Sequence, residues 1–293
     1  MASQASPLES APPDFAAEGI LVARRRRHWP ASLWVGLGAV SLLVAIAIVG
    51  PILAPYDPIN GDILANLNPP SIHHLFGTDL YGRDVFTRVL YGARIALAVG
   101  FGSVAASLVI GTIWGSIAAY FGGVLESVLM RIVDVVISFP YIVLVITVLA
   151  VLGPSLLTVA IAIIVVDWTT YARLLYSQVL SVREREYVMA GHALGASPWH
   201  ILRRDILPNV ISPALVYASL DISQVILLMA ALSYLGLGSQ PPTPDWGYMI
   251  NEGREFISTQ WWISTFPGIA VMITGLAFAL LGDGLADLQQ IER

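Results

Sequence analysis

Two aspartates carry the most reactive chemistry in this chain, because of where they lie. Asp167 and Asp221 each fall near the middle of an apolar run long enough to cross a bilayer. An aspartate at a bilayer centre costs about 2.5–3.5 kcal/mol on insertion scales, so it faces protein or a water-filled cavity. Two readings are open for each. Lining a solute path, they would meet a cation or an amine. As structural groups they would bond to neighbouring hydroxyls, Thr169 and Thr170 for Asp167, Ser219 and Ser223 for Asp221. Asp134, at the predicted start of another apolar run, suits the positive end of a helix dipole. His73 and His74 are adjacent, and adjacent imidazoles need not converge on one ion. With no cysteine in the chain and no further histidine near them, no metal site is read.

The composition excludes several classes. All fifteen basic residues are arginine, so no phosphate-binding loop ending in Gly-Lys-Ser/Thr can be written. If ATP drives this protein, a partner binds it. A net charge of −5 does not point to a nucleic-acid partner. No nucleophile–base pair or metal-ligand helix occurs within the apolar runs, so no catalytic residue is assigned. Only 12% of the 293 residues are charged, against roughly 25% in soluble domains. The chain reads as an all-α integral membrane protein.

Six spans are predicted, at about 31–53, 94–119, 132–152, 156–177, 210–235 and 262–282. Residues 1–28 form a predicted disordered tail ending in Arg24 to Arg27, without the features of a cleaved signal peptide. Residues 29–293 form the membrane domain. An amino terminus inside puts Arg24–Arg27, Arg131, Arg183, Arg185, Arg203, Arg204 and Arg293 in the cytoplasm, with Arg83, Arg88, Arg94 and Arg254 outside. This asymmetry satisfies the positive-inside rule and makes both termini cytoplasmic. Within the second span, Ser103, Ser107, Gly111 and Gly115 recur every four residues and predict a close helix contact. Packing inside this chain is the preferred reading, a seam with a second subunit the alternative.

Between the fourth and fifth spans, about 183–209, lies a charged, helix-forming loop. A first helix is expected over Glu184–Leu194, with Tyr187, Ala190, Gly191 and Leu194 on one face. Gly195 supplies a left-handed stop. Ser197 and Pro198 form an N-cap and first-position pair. Trp199, Leu202 and Ile206 fall on one face of a second helix, which Pro208 is expected to close at Leu207.

The run Glu186-Tyr187-x-x-Ala190-Gly191-x-Ala193-Leu194-Gly195-Ala196-Ser197, then Ile206-Leu207-Pro208-Asn209, resembles the cytoplasmic EAA loop of ABC-importer permeases. It departs from that motif at Met189, where a glutamate would stand, and at Gly191, where an alanine would. Phe76-Gly77-Thr78-Asp79-x-x-Gly82-Arg83-Asp84 resembles the second, C-type permease of the oligopeptide/dipeptide/nickel branch. Leu235-Gly236-Leu237-Gly238 with Gln240-Pro241-Pro242-Thr243-Pro244-x-Trp246-Gly247, and Gly282-Asp283-Gly284-Leu285, extend the likeness over nearly everything after residue 30.

The resemblance implies a six-helix type I importer bundle with a cytoplasmic helix-turn-helix that docks on an ATPase. The implied coupling residues are Glu186, Ala190, Gly191, Gly195, Ala196, Ser197, Pro198, Trp199, Leu202, Leu207 and Pro208. Asp221, Asp167 and Met229 are candidates for the translocation path. Family members often carry an acidic residue at the position of Met229. The implied partners are a homologous permease, two cytoplasmic ATPases that hold ATP and Mg²⁺, an extracellular or periplasmic substrate-binding protein, and the lipid bilayer of a prokaryotic cell membrane. Di- or oligopeptides are the first cargo the resemblance implies, with nickel, glutathione and glycosides as the alternatives known in this branch. A secondary transporter or channel using Asp167 and Asp221 is the competing class, but no internal repeat of the kind such proteins carry is visible.

Overall fold

Backbone inside lipid has to satisfy its N–H and C=O groups within the span itself, so apolar runs of this length become helices. The computed structural model describes residues 30–291, and the only extended pairing among them is an isolated bridge between Thr78 and Asp84. The expectations for residues 1–28 and for Arg293 lie outside the described residues. In chain order the α-helices are α1 (Ala31–Leu53), α2 (Val85–Phe121), α3 (Gly123–Ile137), α4 (Tyr141–Leu152), α5 (Leu156–Arg183), α6 (Glu186–Ala193), α7 (Pro198–Ile201), α8 (Leu207–Tyr234), α9 (Trp246–Gly253) and α10 (Trp262–Ile291). A π-helical segment, Leu202–Ile206, joins α7 to α8.

Five of these stretches are each long and apolar enough to cross a membrane: α1, α2, α5, the run Pro198–Tyr234, and α10. Helices α3 and α4 meet the same test only as a pair, bent by 87°. The expected bundle is there, but its third member is broken. Proline explains the break. Pro140 has no N–H to donate and disfavours helical backbone at Phe139, while Ser138 Oγ donates to the Val135 carbonyl at 2.7 Å. This corrects the unbroken 132–152 span. It also corrects Asp134, which lies near the C-terminal end of α3, where the helix dipole disfavours a carboxylate. Asp134 instead accepts from Arg173 at 2.6 Å, with both side chains half exposed.

Glycine sets the closest contact of the bundle. A Cβ on Gly111 would come within 2.5 Å of the Trp168 carbonyl, and one on Gly115 would collide with the carbonyl of Ala172. Ser103 and Ser107 continue this buried stripe toward the middle of α2. The small residues therefore serve a contact within the chain, between α2 and α5. Elsewhere, Gly36 of α1 abuts the backbone of Leu281 and Gly284 of α10 that of Leu33. Because the C-terminal part of α1 meets the start of α2, through Tyr91 Oη and the Pro51 carbonyl at 3.4 Å, the start of α1 and the end of α10 share one end of the bundle. The 183–209 loop occupies that same end, where Arg183 donates to the Ala119 carbonyl at 2.5 Å.

The α2–α5 contact is testable by size alone. Forcing methylenes into a packed site costs about 1–3 kcal/mol or more. Gly115→Leu is expected to abolish a monodisperse folded product in size-exclusion chromatography. Gly102→Leu, at a site where an added Cβ meets no neighbouring element within 4 Å, is expected to behave as the parent.

Candidate functional site

The loop between α5 and α8 is an elbow built from local capping signals. Helix α6 ends at Gly195, whose φ of +80° most other residues avoid. The Gly195 and Ala196 amides donate back to His192 and Gly191 carbonyls at 3.0 and 3.1 Å, closing a Schellman turn. Ser197 Oγ then accepts from the His200 amide at 3.3 Å, with Pro198 at the first turn of α7.

Pro208 does not close this unit, contrary to the sequence expectation. The turn preceding it widens to π geometry, with the Leu207 amide donating to the Leu202 carbonyl, and the chain runs on into α8. Widening spares the proline its clash with the carbonyl four residues back, that of Arg204, so no break is needed. The expected face is also only partly the buried one. Leu202 and Ile206 are buried, joined by Ile201, whereas Trp199 is 57% exposed.

Burial divides the elbow sharply. Val188, Ile201, Leu202 and Ile206 pack with Ala119 of α2, Leu175 and Val179 of α5, and Val210 of α8 in a second apolar core. The opposite surface carries Tyr187, Met189, Leu194 and Trp199, all exposed, with Leu194 at 87%. Glu186, Ala190, Gly195, Ser197, Pro198 and Pro208 are exposed with them, while Gly191, Ala196 and Leu207 are half-buried. Beside this surface lies a cleft of about 580 Å³ lined by Tyr120, Phe121, Arg183, Glu184, Met189, His192 and Pro198. Exposed apolar side chains on a buried root are compatible with contact to another protein or to lipid.

Asp167 and Asp221 do come together, through a partner the sequence reading missed. Tyr171 Oη donates to Asp221 Oδ2 at 2.7 Å, and the Asp167 carboxyl adjoins both Asp221 and Ser107. The anticipated hydroxyls serve backbone instead: Thr169 donates to Val166, Ser219 to Leu215 and Ser223 to Gly275. The signal for Tyr171 was its place one turn beyond Asp167 on the same helix. Met229, two turns beyond Asp221, is 1% exposed and packs in the main core.

At the opposite end the Phe76–Val85 segment is an ion-paired platform. Arg83 donates to Asp79 Oδ2 at 2.6 Å and to both Glu252 oxygens at 2.7 and 3.0 Å. Arg88, fully buried, donates to the Pro58 and Pro242 carbonyls at 2.7 and 3.3 Å. Asp84 caps α2 through the Thr87 amide at 2.8 Å and lies 2.9 Å from His74 Nδ1. Among the described residues no three His, Asp or Glu side chains converge as metal ligands.

The described residues thus form a multi-span helical bundle with a rooted, outward-facing elbow at one end and a knitted loop platform at the other. Residues 108–290 match the family described as binding-protein-dependent transport system inner membrane component, and residues 26–70 match the N-terminal TM domain of oligopeptide transport permease C. The dipeptide transport system permease protein DppC of Alkalihalophilus pseudofirmus is 43% identical over 253 residues, 86% of this chain and 83% of the relative. The probable D,D-dipeptide transport system permease protein DdpC of Escherichia coli is 42% identical over 249 residues, 85% of this chain and 84% of the relative. A chain of the MetNI methionine ABC transporter, in an inward-facing conformation, shares the fold with a TM-score of 0.54 and 20% identity, covering 70% of this chain and 97% of that one. The chain belongs to the family of binding-protein-dependent inner-membrane transport components. Within that family it is a permease subunit of the C type, a multi-pass membrane protein of an ABC importer.

The ion-paired platform yields a pH-dependent prediction. Burial raises the Glu252 carboxyl above its ordinary range, and Arg83 is the largest influence opposing that rise. A carboxyl raised on folding holds its proton more tightly in the folded state. Its cost to stability is therefore present above the folded pKa and fades as pH falls through it. Arg83→Ala is expected to lose about 3–5 kcal/mol near neutral pH, because Glu252 is left buried without its partner while Asp79 keeps Arg88, 3.6 Å away. Part of that loss should return at mildly acid pH, measured by thermal unfolding. An equal loss at both pH values would refute the role given to Glu252.

Proposed function

We propose that the α6–α7 elbow is the coupling element of a peptide importer and docks on a separate ATPase subunit. One observation carries this reading: the elbow presents Tyr187, Met189, Leu194 and Trp199 outward while Val188, Ile201, Leu202 and Ile206 root it in a core shared with α2, α5 and α8. The elbow end faces the cytoplasm, together with the start of α1 and the end of α10. ATP and Mg²⁺ are held by two ATPase partners, since this chain has no lysine from which to build a P-loop. A homologous permease completes the path, and an extracellular or periplasmic binding protein delivers cargo to the opposite end. Di- or oligopeptides are the cargo class that the dipeptide-transport relatives favour.

Mechanically, movement of the docked ATPases displaces α7, and its unbroken continuation into α8 carries that displacement into the bundle. Driving a two-state equilibrium from 1:99 to 99:1 takes about 5.5 kcal/mol of differential free energy. A hinge at the elbow would dissipate that bias, and capping plus a buried root resist hinging.

Two substitutions test the reading. Trp199→Ala is expected to weaken capture of the ATPase by about 2 kcal/mol, roughly thirtyfold, as for a buried aromatic anchor. Gly195→Arg, which puts a side chain on a left-handed backbone, is expected to cut ATP-driven uptake on the order of tenfold while the chain still inserts; a tenfold loss corresponds to about 1.4 kcal/mol. Undiminished uptake and ATPase capture in both variants would remove the coupling role.

A further inference from the structure

Asp167 and Asp221 place two carboxyl groups side by side between α2, α5 and α8. Ser107 from α2, Tyr171 from α5, Tyr217 from α8 and Tyr141 from α4 face the pair, and none of these is basic. Arg173, farther along α5, is committed to Asp134. Tyr171 serves one oxygen of Asp221. Asp167 Oδ2 is buried without a well-formed hydrogen bond, and the Ser107 hydroxyl, 0% exposed, has no partner but the neighbouring Asp167 carboxyl. A buried carboxylate without a compensating charge is strongly disfavoured, and adjacent carboxylates compound that cost.

What this group of oxygens lacks is positive charge. We propose that Asp167, Asp221 and Ser107 form a binding site for one small monovalent cation, a sodium ion or a proton, retained as a counter-ion inside the subunit. The donor set is entirely oxygen, which suits a hard cation. Asp167 and Asp221 are 4% and 6% exposed, which shields the pair from an amine-bearing peptide. The inference goes beyond the import reading and does not require the ion to be carried across the membrane.

The test uses the purified importer assembly containing this chain, unfolded thermally in sodium chloride and in choline chloride at equal ionic strength. Infrared spectra at neutral pH report the protonated-carboxyl stretch under the same conditions. If sodium occupies the site, sodium chloride raises Tm by several degrees. That rise disappears in Asp167→Asn and needs higher sodium in Ser107→Ala. If a proton occupies it, Tm is indifferent to sodium and a carboxyl band is present, lost in Asp167→Asn and in Asp221→Asn but kept in Ser107→Ala. The two aspartate variants are read separately, so that failure of one to assemble leaves the other to decide. Indifference to sodium together with the absence of any aspartate-dependent carboxyl band overturns the proposal.

Discussion

The close backbone contact between α2 and α5 is the constraint on which the other features rest. Gly111 and Gly115 admit the Trp168–Ala172 stretch of α5 to a distance that no side chain would allow. That approach fixes the rotation of both helices. With the rotation fixed, Ser107 meets Asp167, Tyr171 points to Asp221 on α8, and Ala119 meets Leu175 and Val179 under the elbow. In lipid there is little hydrophobic drive between helices, so packing of this closeness has to come from van der Waals contact between small residues. The acidic pair and the elbow root are thus two consequences of one helix–helix fit.

The two ends of the bundle are built on different physics. At the elbow end, apolar burial is the adhesive, and the surface left over mixes apolar side chains such as Leu194 and Trp199 with charged ones such as Arg185, Glu186, Arg203 and Arg204. At the other end, buried ion pairs and indole hydrogen bonds hold irregular loops to helix starts: Arg83 reaches Glu252, Trp262 donates to the Thr78 carbonyl at 3.1 Å, and Trp246 donates to that of Val89 at 2.9 Å. Loops carry unpaired backbone groups that need such partners. A buried ionic platform resists partial opening, because breaking one pair strands a charge. The permease therefore joins an exposed elbow at one end to an ion-paired face suited to holding its shape at the other.

The π turn at Leu202–Ile206 has a mechanical meaning in this setting. A proline that ended the helix would have left a joint between elbow and span. Accommodating Pro208 by one widened turn keeps α7 and α8 continuous, with Asn209 Nδ2 donating to the Asp205 carbonyl at 2.6 Å across the same turn. Widened turns of this sort cluster at functional sites.

Local sequence determined much of this protein. Apolar runs specified the spans, because lipid leaves the backbone no alternative to a helix. The Gly195, Ser197 and Pro198 signals specified the elbow's stop and restart, because capping acts over a few residues. The Pro and Gly content of the 54–84 segment specified an ordered, turn-rich excursion. Tertiary structure decided what depends on distant neighbours. Tyr171 became the partner of Asp221 through a contact between residues fifty apart, and Glu252 became the partner of Arg83 across 169 residues. Trp199 turned outward because Ile201, Leu202 and Ile206 are the residues that meet α2, α5 and α8. Proline marks a point of backbone stress at both Pro140 and Pro208. Whether the chain bends by 87° or widens by one residue there depends on what packs around it.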